Sequence, residues 1–225
     1  MSTIDSLFGS RGIRRYVELL GEGITFNEIQ EALAEKVIYR PVFSNKKGAV
    51  PGVFVSHALN FDPDKLLIVG TFVTGGVFAG HTAARRQGWS TSLSGDPEMH
   101  VRVTYTRCPK ELPVKTIRSR NPEMLTLDVE HDDTEFGTCL SFTGPARTVV
   151  EILHRARKTD RDLEHGYEII GDYFKGGGEP GAVIRIADDL KLNNGEWITR
   201  LVNSVHAGTR FGRSDDEQEA RPRHR

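Results

Sequence analysis

Cysteine is nearly absent from this chain, with Cys108 and Cys139 the two present in 225 residues. Two thiols without CxxC spacing make neither a disulfide framework nor a zinc site, so a reducing cytoplasm is the expected compartment. A long apolar run is missing too. The longest, LLIVGTFVTGGVFAG over residues 66–80, is short of the roughly 20 apolar residues that span a bilayer and is broken by glycine, so it reads as buried core. The start, MSTIDSLFGSRG, has no apolar stretch behind a basic end, so no secretory signal is expected. Charge of one sign is also lacking: 30 Lys and Arg face 31 Asp and Glu, for a formal charge of −1. Any case for a nucleic-acid partner therefore has to come from local clusters.

Catalytic signatures are missing as well. There is no Gly-x-Ser-x-Gly elbow, no Gly-x4-Gly-Lys-Ser/Thr phosphate loop and no His-Glu-x-x-His. The glycines between Gly70 and Gly80 have no phosphate-loop lysine after them and are expected to permit close packing instead. Glu130, His131, Asp132 and Asp133 carry ligand chemistry, but successive strand side chains alternate faces, so they cannot converge without a turn. The expectation is no enzyme, no cofactor and no metal.

What the chain does have is an ordinary globular composition, 37% hydrophobic and 27% charged, at a length that accommodates a small domain joined to a larger one. Over residues 11–35, Ile13, Tyr16, Val17 and Leu20 recur at helical spacing, and Ile29 and Leu33 follow a break at Gly21 and Gly23, which predicts two short helices. Thr25 and Glu28 form a capping box at the start of the second. Residues 37–43 and 51–56 are β-branched or aromatic runs joined by Ser-Asn-Lys-Lys-Gly, a predicted hairpin with a basic tip. Helix, turn, helix and hairpin resemble a winged helix-turn-helix.

Asp62 and Pro63 open a further predicted helix through Ile68 toward Thr71, and residues 82–87 predict another that stops at Gly88. Alternation in Val101, Val103 and Tyr105, in Val114 and Ile117, in Leu125, Leu127 and Val129, and in Cys139, Leu140 and Phe142 predicts four antiparallel strands. Beyond Pro145 the apolar spacing is helical: Val149, Ile152 and Leu153; Leu163, Tyr167, Ile170 and Phe174; Val183, Ile186 and Leu190; Trp197, Leu201 and Val205. Gly176, Gly177 and Gly178 divide two of these segments. The fold class is α+β, with a winged-helix-like unit over residues 1–57, an α+β domain with an antiparallel sheet and a helical end over 58–207, and a disordered polar tail over 208–225.

Two segments are similar to the AbiEi family of type IV antitoxins. In the first, FDPDKLL, TGGVFAGHTAARRQGW and HVRVTYT follow one another from Phe61. They match that family's order of Asp-Pro, a helix, a small-residue run into a His-x-x-Ala-Ala helix, Gly-aromatic and a His-Val-x-Val strand. The second, SFTGPARTVVEIL from Ser141, matches Thr/Ser-x-Pro-x-Arg-Thr-Leu-x-Asp-Leu-Leu, with Glu151 where the family has Asp. The resemblance covers about residues 12–205. It implies a cytoplasmic antitoxin whose N-terminal unit binds and represses its own operon and which antagonises a nucleotidyltransferase-like toxin, often without a stable complex. Family members have three helices before the wing. Here the chain passes from Ala34 directly into the hairpin, unless Ile4 to Phe8 supplies the first helix and residues 25–35 become the reader.

On that reading Asn27, Gln30 and Glu31 suit base edges, and Lys36, Arg40, Lys46 and Lys47 suit phosphates or the minor groove. Arg85 and Arg86 are expected to form a second phosphate patch with the basic stretch of Arg102, Arg107, Lys110, Lys115, Arg118 and Arg120. The bland alternative is the wet face of a helix, a hairpin tip and solvated strands. His81 is expected to cap or pack, and Arg147, placed where the helix dipole disfavours a cation, to have a particular acid or carbonyl partner. Two copies on a palindrome, or cooperative binding on DNA, are expected of a protein with one reading unit. The competing function is a protein-binding module without sequence-specific DNA binding.

Overall fold

Ile13 belongs to a strand, although its spacing to Tyr16, Val17 and Leu20 is helical. In the computed structural model, which describes residues 8, 12–43, 47–57, 65–89, 95–102, 108–134, 136–156 and 160–208, β1 (Ile13–Arg15) precedes α1 (Tyr16–Gly21) and α2 (Phe26–Ala34). The first expected helix is thus cut to six residues. Ile13 is buried by pairing with Val55, a tertiary contact that local periodicity does not register. Then come β2 (Ile38–Tyr39) and β3 (Val53–Ser56), antiparallel with Ile38 opposite Ser56, while β1 runs antiparallel on the other side of β3. The hairpin is as expected, with the isolated bridge Val42 to Ala49 extending it toward the tip.

Leu19, Ile24, Ile29, Ala32, Ile38 and Phe54 form the core beneath these elements. Phe8, which is helical and 2% exposed, packs in that same core. Residues 4–7 of the alternative first helix lie outside the described residues. The connectivity is β1, two helices joined by a tight turn, and a hairpin that β1 completes as a three-stranded sheet.

The chain divides into two compact units, residues 1–78 with 94–142, and residues 79–93 with 143–225. The expected boundary between residues 57 and 58 falls inside the first unit. There α3 (Lys65–Thr74) follows the hairpin, and the Arg15 guanidinium donates to the Phe72 carbonyl and lies over the Phe72 ring, 5.1 Å from its centre. Residues 61–64, where the helix was expected to open, are outside the described residues.

The same unit holds a five-stranded sheet in the order β6-β5-β4-β8-β7, made of β4 (Val77–Phe78), β5 (Glu98–Arg102), β6 (Lys115–Ser119), β7 (Val129–Asp133) and β8 (Cys139–Thr143). The expected antiparallel sheet is in fact mixed: β4 is antiparallel to β5 but parallel to β8, and β5 is parallel to β6. Its central strand, β4, has two residues and lies in the glycine-rich run, too short for an alternation signal. A Cβ on Gly76 would sit 2.5 Å from the His100 carbonyl, so only glycine lets the chain enter β4 there. Leu125 is in a 3-10 turn (Pro122–Leu125) rather than a strand, because Pro122 starts the turn and the Asn121 side chain accepts from the Glu123 amide at 3.0 Å. Val103 and Tyr105 lie outside the described residues.

The second unit is helical. It comprises α4 (His81–Arg86), α5 (Pro145–Ala156), α6 (Asp160–Lys175), α7 (Pro180–Asp189) and α8 (Gly195–His206). Val149, Leu153, Ile170, Val183, Trp197 and Leu201 fill its core at the expected spacings. Gly88, at φ +75, closes α4, and the Trp89 amide donates back to the Ala84 carbonyl. Between α6 and α7 a Cβ on Gly178 would fall 2.3 Å from the Tyr173 ring, so that glycine is a packing requirement as well as part of a break. Among the described residues no helix is long and apolar enough to cross a membrane. Residues 209–225, expected as a tail, are outside the described set.

Candidate nucleic-acid interface

Thr25 fixes where α2 begins. Its hydroxyl accepts from the Glu28 amide at 3.3 Å, and the Glu28 carboxylate accepts from the Thr25 amide at 2.7 Å. The amide and hydroxyl of Thr25 hold the Glu28 carboxyl below the ordinary glutamate range. From that start, positions 29, 32 and 33 turn inward as Ile29, Ala32 and Leu33. Positions 27, 30, 31 and 34 turn outward, so Asn27, Gln30 and Glu31 lie exposed on one face. This is the polar face expected of the helix, and the structure brings those three together.

Lys36 is exposed just beyond α2 with φ +58, in the left-handed region. The Lys36 amide donates to the Leu33 carbonyl and the Val37 amide to the Ala32 carbonyl, which turns the chain from helix to strand. Lys36 thus serves as the helix end, a role that a glycine would fill with less strain. Arg40 is exposed on the hairpin, and its guanidinium lies over the Phe54 ring, 5.5 Å from the centre. Lys47 is exposed at the tip, beside Gly48 at φ +96. Lys46 lies outside the described residues.

The residues of the second expected patch come from both units. Arg85 and Arg86 are exposed in the last turn of α4, where cations complement the helix dipole, and belong to the helical unit. Arg102 and Arg118 are exposed in the other unit, on β5 and β6. Arg118 stands opposite Val101, and Arg102 opposite Ser119. Paired residues share a face and successive ones alternate, so the two arginines point to opposite faces of the sheet. Arg102 and Arg118 therefore do not form one patch with each other. Lys115 is paired with Glu98 at 2.6 Å, and Arg107 is outside the described residues.

Apolar side chains stand out near the helix-turn-helix, a feature the sequence reading did not single out: Val17 is 68%, Phe26 56% and Val42 55% exposed. Val17 shares the helical spacing and Val42 the hairpin run, and only the tertiary arrangement shows that the core leaves them out.

The acidic run around His131 holds no cluster of three ligands, and none of three or more His, Cys, Asp or Glu occurs among the described residues. His131 Nδ1 instead lies 3.0 Å from the Ser141 hydroxyl. Partial burial first, then the neighbouring Asp133 carboxylate, pushes the Cys139 thiol above its ordinary value, so it is not an activated nucleophile.

The two segments that carry the family resemblance meet in the helical unit. Arg147, fully buried in α5, donates from Nε to Glu151 at 2.9 Å, and the other Glu151 oxygen accepts from the Gly80 amide at 3.2 Å. This is the acid partner expected for Arg147. Thr148 donates back to the Thr143 and Gly144 carbonyls at 3.1 and 2.9 Å. The Arg-Thr-x-x-Glu positions of the motif therefore hold the start of α5 together and tie it to the entry of α4. Motif residues in this unit build the fold.

No family model matches the chain, and no curated protein matches it in sequence. Among solved structures, the RV2827C protein from Mycobacterium tuberculosis is similar, with a TM-score of 0.52 and 14% identity over 88% of this chain and 74% of that one. At this identity the likeness concerns the fold.

Proposed function

We propose that the chain is a DNA-binding repressor and antitoxin of a toxin–antitoxin operon, of the AbiEi kind, that reads DNA with α2 and the hairpin that follows. The observation that carries this reading is the outward face of α2: Asn27, Gln30 and Glu31 lie exposed side by side on the second helix of a helix-turn-helix whose inner face is packed. Amide side chains of this kind pair with adenine edges in the major groove, while Lys36 and Lys47 stand at either end of the hairpin with their charges in solvent. Phe8, helical and buried in the same core, supports α2 as the third helix of the winged unit rather than the second. The junction of the two family-like segments at Gly80 and Glu151 supports the antitoxin assignment. Antagonism of a nucleotidyltransferase-like toxin, and pairing of two copies on the operator, belong to the same proposal.

The test is fluorescence-anisotropy binding to DNA from immediately upstream of the gene, against a scrambled duplex, at two salt concentrations. Tighter binding to the native duplex that weakens as salt rises is the expected result, with Gln30→Ala reducing the preference and Lys47→Ala weakening binding to both duplexes. Equal or absent binding overturns it. The exposed Val17, Leu20 and Phe26 then favour the second reading, a module that docks a protein partner through the same helices.

A further inference from the structure

Phe26 is the first residue of α2 and is 56% exposed. Neither device that starts the helix uses its ring. Thr25 and Glu28 exchange the capping hydrogen bonds, while Ile24 and Ile29, placed on either side of the cap as a hydrophobic staple, are both buried in the core. An aromatic ring also loses rotamer freedom in a helix, so alanine would serve the fold better at this position. One exposed apolar residue is ordinary by itself. Its neighbours give this one a meaning.

Helical spacing places Gln30 one turn beyond Phe26 and three positions beyond Asn27, and all three are exposed. One surface at the start of α2 therefore carries two carboxamides and an aromatic ring. An A·T pair offers the matching set in the major groove. Adenine N7 and N6 take a carboxamide in two hydrogen bonds, and the thymine beside them presents a 5-methyl group that only an apolar side chain can cover. A G·C pair has no such methyl group. The first residues of a reading helix are those that reach base edges, and Phe26, Asn27 and Gln30 are the first, second and fifth of α2.

We infer that Phe26 is a specificity-determining residue, its ring covering the 5-methyl group of thymine while Asn27 and Gln30 read adenine, so that α2 selects A·T pairs. The inference rests on the proposed reading of DNA by α2. It adds the base composition of the site and the apolar contact that recognises it.

The experiment uses the full chain and the duplex from immediately upstream of the gene, made once with thymine and once with deoxyuridine, which pairs identically and lacks only the methyl group. Wild-type affinity should fall about fourfold for each methyl group that the ring covers, the worth of one buried carbon. Phe26→Ala should bind the two duplexes equally, whereas Gln30→Ala should bind more weakly and keep the methyl dependence. Equal wild-type affinity for the two duplexes, with the native sequence still preferred over a scrambled one, overturns this inference and leaves DNA reading intact. Full methyl dependence in Phe26→Ala overturns it too, because another residue then covers the methyl group. If that variant fails to fold, the wild-type comparison decides alone. Absence of any preference for the native duplex removes the DNA reading itself, and this inference with it; Phe26 then belongs to a surface for a protein partner.

Discussion

Glu151 shows how much one buried carboxylate can organise. It accepts from Arg147 and from the Gly80 amide, and the arginine is fully buried. Glu151→Gln would remove the negative charge beside a buried guanidinium, a class of change that costs about 3–5 kcal/mol. Urea denaturation followed by circular dichroism should show a loss of that size, whereas a loss below about 1 kcal/mol would mean that the pair is less buried than it stands here. Gly76 makes the same point through shape, since a methyl group there would meet the His100 carbonyl at 2.5 Å, and backbone cannot swing away as a side chain can. Gly76→Ala should destabilise by about 1–3 kcal/mol in the same assay. The sequence marked Gly76 only as part of a glycine-rich run and Arg147 only as a cation in an unfavourable place. Their partners come from 24 and 4 positions away, and the first distance is beyond any local pattern.

At the scale of elements, α2 is the one whose beginning and end both bear on the proposed function. Its start was legible because a capping box is a local device, in which Thr25 and Glu28 satisfy each other's amides within four residues. Thr25→Ala should lower stability by about 1 kcal/mol. The Glu28 carboxyl is held below its ordinary range in the folded chain, so its contribution is complete above an unfolded value of about 4.3 and is lost as pH falls through the lower folded value. The stability gap between wild-type and Thr25→Ala chains should therefore narrow at low pH, and curves that stay parallel would contradict the carboxylate half of the cap. At the other end, Lys36 occupies a left-handed conformation at φ +58 that costs about 1 kcal/mol for a side-chain-bearing residue. Lys36→Gly should raise stability by up to that amount and, on the proposed function, weaken DNA binding. Paired melting and anisotropy measurements check both, and a stabilised variant with undiminished DNA affinity would remove Lys36 from the interface.

For the molecule as a whole, a formal charge of −1 gives no diffuse attraction to DNA, so on the proposed function binding comes from the few cations set around α2 and the hairpin. Arg102 and Arg118 on opposite sheet faces, and Arg40 laid over Phe54, leave fewer of them than the sequence offered. The dependence of affinity on salt should accordingly be shallow, with each phosphate-contacting lysine that is removed lowering the slope by about one unit. A slope as steep as that of a protein with about ten phosphate contacts would require basic residues beyond those placed near α2.

The sequence by itself determined what depends on near neighbours: the capping box of α2, the hairpin, the α+β class and the helical end, each a pattern completed within a few residues or one amphipathic period. Only the tertiary structure decided what depends on partners far along the chain. Ile13 is a strand residue because Val55 receives it, the sheet is mixed because β4 finds β8 across more than sixty residues, and His81 faces His165 because α4 and α6 belong to one unit. Spacing within a segment encodes which side chains share a face. It holds no information about which distant segment that face will meet.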